Sequence, residues 1–426
     1  MKLDTTAALR PIAPVRHALV GGLVRVPASK SLANRELVLS AIASGKSRLD
    51  IGDIDPGDDV HAMADALASL GHEVRWSDGH IEITPREAPA QAEIAAHEAG
   101  TVARFVAALA ATTSASVRID GSERMRERPM RSLTEALRAL GASVEGDGLP
   151  ITVRGPLAGG EVAIPASESS QFASALLLVA PRMERGLRLR LVGDIVSAPF
   201  LEMTAMALRR RGVRVDRPSP REFVVAPSSV GRRSVTIPGD VTAATYPAAA
   251  VALLGGTLTI ANACARHEEG GQGDVRFFDL IEDMGCGVKR ASTSTSVRRV
   301  GDLYGITANV SDCSDTFPTL AIIATQARTP TELDGLGHTR RQESDRLAAV
   351  AAGINALGGQ AQLFGDAIRI EPRPLHEGVV DAQGDHRIAM AFAVLGLLVP
   401  GVAISGADSV AKTFPSFFEM LEGIGR

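Results

Sequence analysis

Six stretches of this 426-residue chain end the same way, and that repetition restricts the fold more than any single motif. ALASLGHEV (66–74), ALRALGASV (136–144), ALRRRGVRV (207–215), LIEDMGCGV (280–288), INALGGQAQL (354–363) and FEMLEGIG (418–425) each read as an amphipathic helix closed by glycine. Most of them run on into an apolar strand start. Gly71, Gly141, Gly212, Gly285 and Gly358 follow one another at intervals of 70, 71, 73 and 73 residues, and Gly423 or Gly425 closes the sixth copy. Apolar residues at i, i+3 and i+4 make one helical face, and glycine supplies the left-handed position that stops a helix. β-Branched residues just beyond suit a strand. One such junction is common, but six at a near-constant period mark a repeated supersecondary unit. Three copies per half give two similar α/β domains, which also suits a chain too long for one core. Pro238 and Gly239, and the cluster Gly21, Gly22 and Pro27, punctuate the chain at the half-repeat seams.

Composition narrows the function. Charged residues are 22% of the chain and the net charge is −4, so no basic footprint for nucleic acid stands out. Aromatics are 4%, with Trp76 the single tryptophan, which leaves no stacking platform for bases or sugars. Cys264, Cys286 and Cys313 have no metal-ligand spacing and read as free thiols in a reducing cytoplasm. No His/Cys/carboxylate cluster shows metal spacing, and neither a P-loop nor a strand-linked GxGxxG appears. The N-terminal MKLDTTAALRPIAP lacks the apolar stretch of a signal peptide. No apolar run approaches the ~20 residues of a membrane span. The expectation is a cytoplasmic protein with no membrane partner, metal or cofactor.

The chemistry-bearing residues gather at helix starts. PASKSLANRELVLSAI (27–42) puts Ser29, Lys30 and Ser31 at one, with Arg35 a turn further on. AGTVARF (99–105) opens on Gly100, where a ligand can approach the backbone, and carries Arg104. GSERMRERPMRSL (121–133) holds Arg124, Arg126, Arg128 and Arg131, a candidate anion clamp because guanidinium forks match phosphate and carboxylate. A solvated loop is the plain alternative. SESSQFASALLLVAP (167–181) places Ser169, Ser170 and Gln171 at another start, where serines can cap the helix or cradle a phosphate. DCSDTFPTLAIIA (312–324) and RRQESDRLAAV (340–350) offer Asp315 and Glu343 for acid–base work, with Arg346 three residues after Glu343 on the same helical face. GDHRIAMAFAVLG (384–396) and AKTFPSFFEML (411–421) add Asp385, His386, Arg387 and Lys412. Helix N-termini carry partial positive charge, so such starts together form an anion-attracting site in an otherwise acidic protein.

In order and spacing, PASKSLANR, AGTVARF, RMRERP, SSQF, ESDR, DHRIAM and AKTFP resemble the motifs of the 5-enolpyruvylshikimate-3-phosphate (EPSP) synthase family, over nearly the whole chain. The resemblance implies two similar domains, 25–238 and 1–24 plus 239–426. Each would be built of three βαβαββ units, with helices inside and sheets outside in an inside-out α/β barrel, and with the active site in the cleft between the domains. It implies transfer of the enolpyruvyl group of phosphoenolpyruvate to the 5-hydroxyl of shikimate 3-phosphate. By motif position, Lys30, Gly100, Arg128, Gln171, Arg346, Arg387 and Lys412 would hold phosphoenolpyruvate. Lys30, Ser31, Arg35, Ser169, Ser170, Gln171, Ser197, Asp315, His338 and Gln342 would hold the acceptor. Asp315, Glu343, Lys30 and Lys412 would carry the proton transfers. The resemblance also implies a monomer.

Four positions depart from the family pattern. Gln342 stands where lysine is common, His338 where asparagine is, Phe200 where tyrosine is, and Glu98 where a neutral residue is. All lie on or near the acceptor side, so a paralogue using a modified acceptor is one alternative. A non-catalytic anion-binding relative is another, opposed by the intact Asp315, Glu343 and Lys412. The sister transferase acting on UDP-N-acetylglucosamine carries Lys-Asn at the first site and a cysteine in the arginine loop. Here Ser31 follows Lys30, and 121–131 has no cysteine.

Overall fold

The computed structural model describes residues 9–425, so residues 1–8 of the segment 1–24 and Arg426 lie outside the described residues. The described strands form six small sheets, five of four strands and one of three, on one plan. In the sheet containing Gln91–Ala95, that strand runs parallel to Ser116–Asp120. Ile151–Arg154 then pairs antiparallel with Ser116–Asp120, and Ser143–Glu145 closes the far edge as a hairpin partner. Parallel neighbours need a crossover. Here it is the helix Gly100–Ala110, and a second helix, Arg131–Ala139, leads into the hairpin. That βαβαββ order explains the period of the glycines. Gly71, Gly141, Gly212, Gly285 and Gly358 each end the second helix of a repeat with φ between +82° and +111°. The sixth copy differs: Gly425 has φ −85°, so no left-handed stop closes the last helix there.

The chain divides into two compact units. The first is Ala28–Ile237 with Glu268–Gln272; the second is the chain up to Pro27, Pro238–His267 and from Gly273 onward. Each holds three of the sheets. Three helices pack on one another at the centre of each unit: Lys30–Ala41, Gly100–Ala110 and Ser170–Val179 in the first, and Val241–Leu254, Phe317–Ala324 and His386–Gly396 in the second. Every residue of Gly100–Ala110 and of His386–Gly396 is buried. These helices have no polar face, so they can only be core. The sheets cover them. In Leu187–Val192, Leu187, Leu189 and Leu191 point inward while Arg188 and Arg190 point out, the alternation of a sheet with one wet face. Helices are thus inside and sheets outside.

One sheet in each unit takes its first strand from the far end of that unit's chain. Ser234–Thr236 runs parallel to Ser47–Asp50 in the first unit. Leu19–Val24 runs parallel to Gly256–Ile260 in the second, where Leu9–Pro11 also pairs with Val402–Ser405. Among the described residues, no helix is long and apolar enough to cross a membrane.

A buried ion pair ties the return segment of the first unit to its core. Arg211, at the end of the helix Pro199–Arg210, donates to Glu36 Oε2 at 2.8 Å, to Ser40 Oγ at 2.8 Å and to Ser47 Oγ and the Gly231 carbonyl at 3.2 Å. The Arg211 side chain is 0% exposed and that of Glu36 is 3%. Arg211→Met should lower the unfolding free energy by about 3–5 kcal/mol, because it strands the Glu36 charge. Adding Glu36→Gln should recover part of the loss in urea titrations.

Candidate active site

Helices that are apolar on every side leave only their ends for polar chemistry, and the candidate residues collect at those ends. In the first unit Lys30 is the first residue of its helix. Its Nζ lies 2.6 Å from Asp59 Oδ2, with both side chains largely buried. Asp59 stands in the first turn of the adjacent helix Asp58–Ser69. Asn34, one turn beyond Lys30, donates to the Asp59 carbonyl at 3.2 Å and to Thr101 Oγ1 at 2.8 Å, which joins this start to that of Gly100–Ala110.

Gly100 is where side-chain ends crowd in. A Cβ there would lie 2.9 Å from Arg128 Nη2, 3.0 Å from Arg104 Nη1 and 3.1 Å from Gln171 Oε1. The bare glycine lets two guanidiniums and an amide lie over the helix start. Arg104 donates to Gln171 Oε1 at 2.6 Å and to the Pro129 carbonyl at 3.1 Å, and Arg128 donates to the Glu98 carbonyl at 3.2 Å. Glu98 thus serves this corner through its backbone. Ser169 caps the third central helix, its Oγ accepting from the Gln171 amide at 3.2 Å, and Ser170 is the first helical residue.

The arginine loop is not one clamp. Arg124 pairs with Glu127, Arg126 with Asp120 and Arg131 with Asp147, all on the surface. Arg128 alone is buried beside Gly100. Arg35 is buried and held on every nitrogen: Nε donates to Thr204 Oγ1 at 2.7 Å, Nη1 to the Ser31 carbonyl at 2.8 Å, and Nη2 to Ser174 Oγ at 3.3 Å and the Phe200 carbonyl at 3.2 Å. Burial lowers its pKa to about 9, which leaves it charged at neutral pH. Its guanidinium carbon sits 5.6 Å from the centre of the Phe200 ring, so the residue in the usual tyrosine position contributes a ring face to Arg35.

The second unit gathers carboxylates around two buried arginines. Arg346 Nε donates to Asp385 Oδ2 at 2.7 Å, Nη1 to Asp315 Oδ1 at 2.8 Å and Nη2 to Glu343 Oε2 at 2.7 Å; Nη1 also reaches Gln342 Oε1. Arg387 Nη2 donates to Asp315 Oδ2 at 2.7 Å. Burial is the largest single influence on both guanidiniums and works against the charge. For Arg346 the carboxylates of Asp385, Glu343 and Asp315 outweigh it and raise the pKa above that of an ordinary arginine. Asp315 leads the same effect at Arg387. Asp385 is fully buried and also caps its helix, accepting from the Arg387 amide at 2.9 Å and from Ser344 Oγ at 3.0 Å.

Glu343 and Arg346 do not share a helical face. The helix begins at Arg346, with Asp345 as its cap, so Glu343 belongs to the loop before it. The three-residue pair forms across a helix start rather than along a helix. His338 Nε2 lies 2.8 Å from Ser314 Oγ, next to Asp315, and burial lowers its pKa. Lys412 ends a 3₁₀ turn, Ala407–Lys412, and is buried.

Three non-glycine residues among those described have left-handed φ: His97 (+48°), Ser197 (+52°) and Gln383 (+54°). Each lies two or three residues before the first residue of a helix: Gly100, Pro199 and His386. Such strain collects where backbone is held for a purpose. Sequence reasoning passed over Asp59, Asp240 and Asp274. Each stands at or just before a helix start, where the sequence shows only an ordinary acid.

The chain matches the family model described as EPSP synthase (3-phosphoshikimate 1-carboxyvinyltransferase) over residues 16–421. It is 37% identical to the 3-phosphoshikimate 1-carboxyvinyltransferase of Methanosphaerula palustris, covering 96% of this chain and 98% of that protein. It is likewise 37% identical to the one from Methanoculleus marisnigri, over 94% and 96%. The EPSP synthase of Acinetobacter baumannii has the same fold at 24% identity, with a TM-score of 0.80 over 98% of both chains.

Gly100→Ala tests the first corner directly. A methyl group would push the ends of Arg128 and Gln171 aside without touching the core. The melting temperature should stay near that of the unchanged protein, while calorimetric affinity for a phosphate-bearing anion should fall roughly tenfold, about the 1.5 kcal/mol of one charge-assisted hydrogen bond.

Proposed function

Because the chain belongs to the EPSP synthase family, we propose that it transfers the enolpyruvyl group of phosphoenolpyruvate to the 5-hydroxyl of shikimate 3-phosphate and releases phosphate. The observation that carries this reading is Asp315. Its two oxygens are held by two buried arginines, Arg346 and Arg387, yet its side chain keeps 22% of its surface open. A carboxylate fixed in place and still reachable can orient a reacting hydroxyl.

The assignment of roles follows from the resemblance to the family's motifs, residue by residue, and charge is consistent with it. Lys30, Gly100, Arg128, Gln171, Arg346, Arg387 and Lys412 would hold the phosphate and carboxylate of phosphoenolpyruvate. Guanidinium forks and bare helix amides match both groups. Ser169 and Ser170 would hold the acceptor's phosphate, with Lys30, Ser31, Arg35, Gln171, Ser197, His338 and Gln342 lining the rest of it. The acceptor hydroxyl, bound to Asp315, attacks C2 of phosphoenolpyruvate and loses its proton while C3 gains one. This gives a tetrahedral ketal phosphate. Loss of phosphate from C2, with a proton from C3, restores the double bond in the product. Glu343, 2.7 Å from the buried Arg346, would carry the C3 proton in both directions, with Lys30 and Lys412 as its partners in proton transfer. The cations stabilise the charge that develops on the leaving phosphate. On this reading the chain acts as a cytoplasmic monomer without a cofactor.

One observation favours a second reading of the acceptor. Gln342 turns its oxygen to Arg346, and Phe200 brings no hydroxyl, so two polar contacts usual on the acceptor side are spent or missing. Phosphate release from phosphoenolpyruvate on adding shikimate 3-phosphate decides between the two. Release only with another acceptor selects the paralogue, and acceptor binding without release selects the anion-binding relative. Glu343→Gln should cut turnover by at least ~10²-fold while leaving calorimetric binding of both substrates near its original strength; near-normal turnover would remove Glu343 from the mechanism.

A further inference from the structure

One buried acid in the second unit has no part in the scheme above. Asp274 lies in the 3₁₀ turn Gly273–Val275, just before the helix Arg276–Asp283, and is 0% exposed. Its Oδ2 is 2.5 Å from Thr242 Oγ1, a separation that holds one hydrogen between them. Its Oδ1 is buried and meets no hydrogen-bond donor among the described residues. An ionised carboxylate in that position would carry unsolvated charge on an oxygen with nothing to donate to it. The groups facing it decide its state. Asp240 caps the helix Val241–Leu254, which also brings Thr242 and Tyr246. The turn 313–316 brings Cys313 and Asp315, the helix His386–Gly396 brings Arg387, and Arg276 follows on its own segment. Burial is the strongest influence and the charge of Asp315 comes next; both favour the protonated form, while Thr242 and Arg387 oppose it.

We propose that Asp274 is a positioning residue for the transfer reaction: a carboxyl kept neutral so that it adds no further negative charge beside Asp315, which Arg346 and Arg387 hold. The neutral acid leaves the pairing of Arg387 with Asp315 undisturbed. Once ionised, it would add a second negative charge beside the arginine assigned to phosphoenolpyruvate and would favour protonation of Asp315. Both effects weaken the site. The inference rests on the proposed enolpyruvyl transfer, and it is not part of that reading, because Asp274 touches neither substrate there.

Asp274→Asn tests it, since an amide mimics the neutral acid and cannot ionise. At pH 6 the variant should turn over within about twofold of the unchanged enzyme, as a neutral carboxyl and an amide are near-isosteric. As pH rises through about 7, the KM for phosphoenolpyruvate should climb in the unchanged enzyme and stay flatter in the variant. Substrate ionisation is common to both and drops out of the ratio. A second readout needs no substrate. With its pKa raised from 3.8 to about 7, Asp274 contributes stability that is complete below pH 3.8 and lost as pH climbs through 7. The melting temperature of Asp274→Asn minus that of the unchanged protein should therefore increase across that window. Thr242→Val, which removes the opposing hydroxyl, should move the KM rise to higher pH, and it answers the question if the asparagine variant fails to fold. Identical KM profiles in both proteins, or a temperature difference flat with pH, would overturn the proposal. If the unchanged protein turns over no acceptor, yet the temperature difference follows pH as expected, the transfer reading falls and takes the positioning role with it, while the neutral state of Asp274 stands.

Discussion

A helix with no polar face must be covered on every side, and this one demand organises the molecule. Gly100–Ala110 and His386–Gly396 are buried along their whole length, and their neighbours nearly so. Three such helices pack together in each unit, and three sheets wrap them, each sheet with an inward apolar face and an outward polar one. The first amides of a helix cannot bond within it, and they carry the positive end of its dipole. In a unit built this way those amides are the main polar opening into the interior. Most candidate residues therefore collect at helix starts, and the charges that lie deeper, Arg35 and the Glu36–Arg211 pair, are hydrogen-bonded within the core.

The two units meet this demand with opposite chemistry. In the first, helix starts are met by Lys30, by the bare Gly100 under Arg104 and Arg128, and by the serines 169 and 170. In the second, aspartates stand at the starts: Asp240 and Asp385 as caps, and Asp315 in the turn before Phe317. Those acids in turn immobilise Arg346 and Arg387. Buried ion pairs are poor general stabilisers, because desolvation offsets much of the attraction. Here they hold two guanidiniums in fixed positions, Arg346 on three carboxylates and Arg387 on Asp315. The strained backbone at His97, Ser197 and Gln383 fits the same account, since each precedes a helix start that must be aimed.

Much of this was legible in the residues. The helix–glycine–strand echo carries its own physics, because a helix that must stop and turn into a strand needs a left-handed residue. Five of the six glycines adopt that conformation; the sixth, Gly425, closes the last described helix with φ −85°. The apolar stretches after Gly100 and Ser170 mark core helices by composition alone. Other features were not legible. Four arginines in eight residues look alike on paper, yet three find surface acids and one turns inward. Glu343 and Arg346 have helical spacing, but the helix begins only at the second of them. Lys30 gives no sign that Asp59 is its partner, because the contact joins two helices rather than neighbours in the chain.

What the sequence determined by itself is periodic or local: the repeat, the helix stops, the apolar inner helices and the types of residue at their starts. These depend on a few neighbouring positions. What only the tertiary structure decided is which of those starts share a corner, and which charge answers which. Asp274 is the clearest instance. In the sequence it is one acid among 49 acidic residues, at an ordinary helix start. Its burial, its single hydroxyl partner and its nearness to Asp315 arise only when separate repeats pack together, and a carboxyl's protonation state follows from that packing rather than from its neighbours in the chain.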